Sequence, residues 1–303
     1  MSLHRKHSKN VAAGIFWTLL SCLSSGIMVN MVKEVSVELG TAQIIFLRNV
    51  FAFLIFLPIV FYIGFAKFRT NRIKLHFLRS TTGLLSMMIF FHSLSVMNVS
   101  VVTAISFTAP LFTAILAVYF FRDKMNVHQI FALFVGFIGV LIVMQPGTDA
   151  FSVHMLPMLV CTFFWALSGI IIKKLSETEA PIQTTFYMTF IMIILTAPLA
   201  FMNWNQPSLE AYGWVFGIAA ISNVLQYSLA KSLSYADFSV LLPFDFTRLV
   251  FSAGIAYIAF GEKMDVNAVL GSVVILSSGF YAVLNERRKI RKLTELTQAN
   301  KPM

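Results

Sequence analysis

Ten apolar stretches of 18 to 25 residues cover about two thirds of this chain and leave it few ways to fold. They run Val11–Val32, Ala42–Ala66, Ser80–Met97, Val99–Phe121 and Val127–Met144, then Met155–Ile172, Ile182–Met202, Tyr212–Ala230, Phe238–Phe260 and Val266–Leu284. A bilayer core of about 30 Å takes roughly 20 helical residues to cross. Lipid offers the backbone no hydrogen bonds, so each run is expected to satisfy its own as a helix. The runs are continuous rather than alternating, which argues against barrel strands. Composition points the same way: 58% of residues are hydrophobic and 12% charged, where a soluble domain carries about 25% charged residues. A water-soluble enzyme and a disordered chain are both excluded. The net charge of +10 would suit nucleic acid. However, the basic residues sit in the tails and short gaps, with no nucleic-acid-reading module, and no nucleic acid partner is expected.

The two halves match at an offset of 139 to 140. Lys33, Gln43, Phe46 and Pro58 correspond to Lys173, Gln183, Phe186 and Pro198. Ser93-Leu94-Ser95 corresponds to Ser232-Leu233-Ser234, and Phe107-Thr108 to Phe246-Thr247. Each half holds five runs. Five is odd, so the second half must enter the membrane in the opposite orientation. The fold class is therefore all-α integral membrane, with ten transmembrane helices as two inverted five-helix repeats. The repeats are expected at 11–145 and 154–285. A cytoplasmic tail (1–10) precedes them and a basic cytoplasmic tail (286–303), able to touch lipid headgroups, follows. With both ends inside, 19 of the 23 Lys and Arg residues fall on the cytoplasmic side, including Arg79 in the gap before the third run. Lys33 and Lys263 fall outside, and Arg48 and Arg248 lie within runs. That asymmetry obeys the positive-inside rule.

A charge at the bilayer centre costs at least about 2.5–3.5 kcal/mol, so the polar residues inside runs are candidate site residues. Asp245 and Arg248 are three apart and share a face, either as a local ion pair or as a polar site on a cavity. Arg48 either snorkels outward along its stem or meets substrate. Asn223, Gln226 and Tyr227 form a stripe that could bond neighbouring helices or line a cavity. His92 reads as a titrating group or a satisfied core histidine. Trp165 could stack on a planar ligand or simply pack. Asn30 is a weaker candidate. Pro58, Pro110, Pro198 and Pro243 interrupt runs and are kinks or hinges. Gly213 and Gly217 make a GxxxG spacing, which leaves a homodimer open. Cys22 and Cys161 lack CxxC partners and read as buried, inert thiols. No metal-ligand spacing and no cofactor motif is present.

Ile45-Phe46-Leu47-Arg48, Phe107-Thr108-Ala109-Pro110-Leu111-Phe112 and Phe260-Gly261-Glu262, set in the ten-run duplication, make the chain resemble the drug/metabolite transporters of the EamA type. Over Ser106–Phe121 it looks most like bacterial S-adenosylmethionine uptake transporters. The first-half counterpart of the last motif, Phe121-Arg122-Asp123, departs from the usual glutamate. The resemblance implies an inner-membrane, multi-pass carrier of a small metabolite, with Glu262 a structural end-of-helix residue. S-adenosylmethionine uptake by alternating access is the leading reading. Import or export of an amino acid, riboflavin or a drug-like compound is the alternative. An intramembrane enzyme would need an HExxH, a GxSxG or a paired acidic motif, and none occurs. A non-transporting scaffold would not require Asp245 and Arg248 at depth.

Overall fold

The computed structural model describes residues 11–64, 68–121, 127–145, 152–176, 178–179, 181–235, 244, 247–262, 265–275, 277–278, 280–281 and 284. Among these residues the chain is helical, with no strand. The helices are α1 (Val11–Val35), α2 (Thr41–Ile63), α3 (Ile73–Val96), α4 (Val99–Ser106), α5 (Ala109–Phe121), α6 (Val127–Met144), α7 (Leu156–Ser176), α8 (Pro181–Met202), α9 (Leu209–Tyr235), α10 (Thr247–Phe260) and α11 (Val266–Ile275). Four helical stretches are long and apolar enough to cross a membrane: Ala12–Val35, Thr41–Tyr62, Val153–Ile172 and Ile182–Met202. Both tails, Pro243 and Asp245 lie outside the described residues.

Two departures from the sequence reading bear on the site. The fourth run is not one helix. It breaks at Phe107–Thr108, where the amides turn back to Ala104 and Ile105 in tight three-residue steps. Pro110 has no N–H to offer the carbonyl of Ser106, so the break falls where an α-helical bond would be missing, and the proline sits in the first turn of α5. The third helix starts at Ile73 rather than Ser80, which brings Arg79 into α3. Pro58 and Pro198, by contrast, stay inside α2 and α8.

Most of the packing joins the two halves. α1 lies against α9 and α10, α2 against α8 and α9, and α3 against α7 and α8. One apolar core draws Val32, Ile45, Leu94 and Ile105 from the first half and Met158, Met192 and Ile218 from the second. Small residues set the closest approaches. A methyl on Gly26 would lie 3.0 Å from Phe251 and Ser252. There Asn30 clamps α1 to α10, its Nδ2 donating to the carbonyls of Gly26 (2.8 Å) and Ser252 (3.0 Å). At the α6–α11 crossing a methyl on Gly139 would lie 2.9 Å from the Gly271 carbonyl, and one on Gly271 2.6 Å from the Gly139 carbonyl. The exterior is apolar: Phe134, Val250 and Ile258 are exposed, a surface that lipid rather than water covers at low cost.

Polar cross-links brace both ends of the bundle. At the end where α1 leads into α2, Lys33 pairs with Glu262, and Glu262 also accepts the Val99 N–H at 2.9 Å. Asn98, the residue before α4, provides no side-chain cap of its own, so Glu262 caps that helix from the other half. Gln43 and Asn205 exchange hydrogen bonds, and Glu38 accepts from the amide and hydroxyl of Ser208 ahead of α9. At the opposite end Glu179 takes hydrogen bonds from His76 and Thr70, while Tyr187 donates to the Phe68 carbonyl at 2.7 Å.

Candidate functional site

Between the halves lies a cavity of about 250 Å³. Its walls come from α1, α2, α3, α4, α7, α8, α9 and α10. Each helix supplies a stripe at helical spacing. α3 gives Arg79, Gly83, Ser86, Met87, Phe90 and Phe91, and α7 gives Trp165, Ser168, Gly169 and Ile172. Hydroxyls are frequent along the walls: Ser21, Ser25, Ser86, Thr103, Ser106, Ser168, Ser222 and Ser252. Such side chains donate and accept hydrogen bonds without a full charge, which suits a polar ligand held away from bulk water. The α4–α5 break delivers Ser106 to this wall, and Thr108 just beyond it donates to the buried Thr162 hydroxyl at 2.9 Å.

Of the residues singled out from sequence, Arg48, Trp165, Gln226 and Arg248 are brought together here. Arg48 is buried at 8% exposure, so it does not snorkel outward. Its Nη2 makes a single long contact to Asn49 Oδ1 (3.4 Å), and its Nε meets no partner among the described residues. Trp165 stands edge-on to Phe90, centroids 5.7 Å apart, with much of its indole left open. Asp245 lies outside the described residues, so the proposed Asp245–Arg248 pair does too.

Three candidates are not on the wall. His92 is exposed, neither a core histidine nor a cavity group. Asn223 and Tyr227 also miss the cavity, and Tyr227 turns its edge to Trp17 instead. The reason is rotational. The cavity face of α9 is Ser222, Leu225, Gln226 and Leu229. At about 100° per residue, Asn223 and Tyr227 sit about 110° and about 150° from the centre of that face, and only Gln226 belongs to both sets. Asn30 serves as the α1–α10 clamp rather than as a wall group. Cys22 and Cys161 are free and buried, as read from sequence.

One group was assigned elsewhere by sequence. Arg79, counted as a loop charge, is buried at 8% exposure on the cavity wall. Its Nε and Nη1 meet no hydrogen-bond partner among the described residues. Three arginines thus face one cavity, and no acidic side chain is among its described lining residues.

A helical bundle whose halves meet around a hydroxyl- and arginine-lined chamber has the build of a membrane carrier rather than an enzyme. The model of the EamA-like transporter family matches the chain twice, over residues 12–145 and 153–284. The chain belongs to the EamA-like transporter family. It is 30% identical over 284 residues to an S-adenosylmethionine uptake transporter of Rickettsia bellii, covering 94% of this chain and 98% of that one. A riboflavin transporter of Vibrio cholerae is 25% identical (92% and 95% covered), and a pseudopaline exporter of Pseudomonas aeruginosa 21% (87% and 93%). A solved crystal structure superposes with a TM-score of 0.65 at 11% identity, over 91% of this chain and 98% of that one, which speaks to the fold alone.

Proposed function

We propose that this transporter carries S-adenosylmethionine into the cell across the bacterial inner membrane, with both termini cytoplasmic and two inverted five-helix repeats rocking about the central cavity. The observation that carries the reading is that the Arg48 guanidinium and the open Trp165 ring face one chamber. A planar guanidinium fork matches a carboxylate, and an indole face matches adenine. S-adenosylmethionine carries both groups, and the hydroxyls and Gln226 suit its ribose and amine. Asp245 is the proposed counter-charge to the sulfonium. The similarity to uptake transporters over nearly the whole chain supports the substrate class.

The cavity volume sits just under the roughly 300–1,000 Å³ typical of small-molecule sites, so loading requires the halves to part slightly. Cargo with one net positive charge gains about 2.3 kcal/mol per 100 mV on entering a negative-inside cell, which drives uptake without ATP. The test is uptake of labelled S-adenosylmethionine by the purified protein in liposomes under an imposed inside-negative potential. Accumulation is expected, competed by unlabelled S-adenosylmethionine and not by riboflavin. No accumulation in either orientation, with folded protein, overturns the substrate. Uptake of labelled riboflavin in place of S-adenosylmethionine would assign the cavity to that cargo.

A further inference from the structure

We propose that Arg79 is a second anion station of the cavity, set at the opposite end from Arg48, where it binds the acidic group of the cargo. This rests on the carrier reading of the cavity but not on the identity of the cargo. Burying an arginine without a partner is costly, and buried charges are ordinarily paired. Arg79 is more than nine-tenths buried, yet two of its guanidinium nitrogens meet nothing among the described residues. Glu179, which lies between α7 and α8 and meets α3 at His76, about one turn before Arg79, is already engaged, since it takes the hydrogen bonds of His76 and Thr70. Ser168 stands on the same wall and adds a hydroxyl donor.

The two stations are separated in depth. Arg48 is seven residues into α2 and Arg79 six into α3, and the two helices run antiparallel. At 1.5 Å per residue their backbones stand about 13 Å apart along the bundle. A carboxylate released from one station therefore finds the next farther along the path. The bidentate fork of arginine holds such a group with direction as well as charge, which lysine does not.

The test compares wild type, Arg79→Gln, Arg79→Lys, Arg48→Gln and the double change Arg48→Gln with Arg79→Gln, purified in neutral detergent. One arm measures the thermal midpoint in inorganic phosphate against chloride at equal ionic strength. The other measures binding of S-adenosylmethionine against its decarboxylated analogue. Phosphate is expected to stabilise wild type and Arg79→Lys fully, and Arg79→Gln and Arg48→Gln each only in part, since each of these keeps one station. The preference for the carboxylate-bearing ligand should fall in Arg79→Gln and in Arg48→Gln, and by at least about tenfold when both are changed together, the scale of one lost charged hydrogen bond. Without anion, Arg79→Gln should melt no lower than wild type, because it removes an unpaired buried charge. Three results overturn the station: equal phosphate protection in Arg79→Gln, an anion-free midpoint of Arg79→Gln below wild type (a protein carboxylate then holds the arginine), or loss of the phosphate effect on adding phosphatidylglycerol (a lipid headgroup then occupies it). If wild type binds phosphate through Arg79 but neither S-adenosylmethionine nor its analogue, the station stands and the proposed cargo falls.

Discussion

Replacing Glu262 by Ala should loosen the end of the bundle where α1 leads into α2. Gly261 takes a left-handed conformation (φ 66°) after α10, which turns the chain so that the next residue points back across the halves. The Glu262 carboxylate, largely shielded from solvent, then meets the Lys33 ammonium and the Val99 amide together. Losing the cap on α4 costs about 1 kcal/mol. Losing a charged hydrogen bond to Lys33 costs about 1.5–3 kcal/mol. The sum, about 2.5–4 kcal/mol, shifts a closed–open balance roughly 60- to 700-fold. Glu262→Gln keeps an acceptor for Val99 and should recover about the capping share. The double change Lys33→Met with Glu262→Gln should cost less than the two single changes added, since the lone ammonium is gone. The assay is the labelling rate of a cysteine placed at Ser106 on the cavity wall, read with a membrane-impermeant thiol reagent after Cys22 and Cys161 are changed to Ala. Faster labelling in Glu262→Ala is expected. An unchanged rate, together with chemical unfolding within about 0.5 kcal/mol of wild type, would refute the brace.

The other expectations are smaller in scope. Gly271→Val should destabilise the α6–α11 crossing by about 1–3 kcal/mol or more, because its side chain would run into the Gly139 carbonyl; denaturant midpoints check this. Asn30→Leu should cost about 2 kcal/mol in the same assay by removing its two side-chain hydrogen bonds, to the Gly26 and Ser252 carbonyls, while leaving ligand binding to folded protein intact. Gln226→Ala should weaken ligand binding by about 1 kcal/mol, whereas Tyr227→Phe should leave it unchanged; equal effects would reverse the assigned face of α9.

What could be read from sequence follows from how each signal is encoded. Helix existence was legible because hydropathy is a property of a window, and each of the ten runs holds a helix of the described structure near the expected place, the fourth run two of them. The break in the fourth run was marked by Pro110, but a proline inside an apolar run reads equally as a kink and as a helix start, and only the amide pattern at Phe107 and Thr108 decides. The α9 stripe shows the limit of choosing a face by polarity. Asn223 and Tyr227 are polar, yet the cavity lies along serine, leucine and glutamine, because packing of α1 against α9 sets the rotation. The partnership of Lys33 with Glu262, residues more than two hundred positions apart, has no local trace at all.

Arg79 shows why the site was harder to read than the fold. A hydropathy window ends an apolar run at its first charged residue, so an arginine one position before Ser80 is assigned to the loop by construction of the signal. The helix itself obeys backbone hydrogen bonding and continues back to Ile73, two turns into the charged flank. That extension takes one arginine out of the cytoplasmic charge set without upsetting its bias, since the neighbouring Lys67, Arg69, Arg72 and Lys74 remain. The same step carries a guanidinium onto the cavity wall. A charge at the border of an apolar run is thus the place where topology signals and binding groups are confounded, and burial separates them: Lys74 is exposed while Arg79, five residues on, is not.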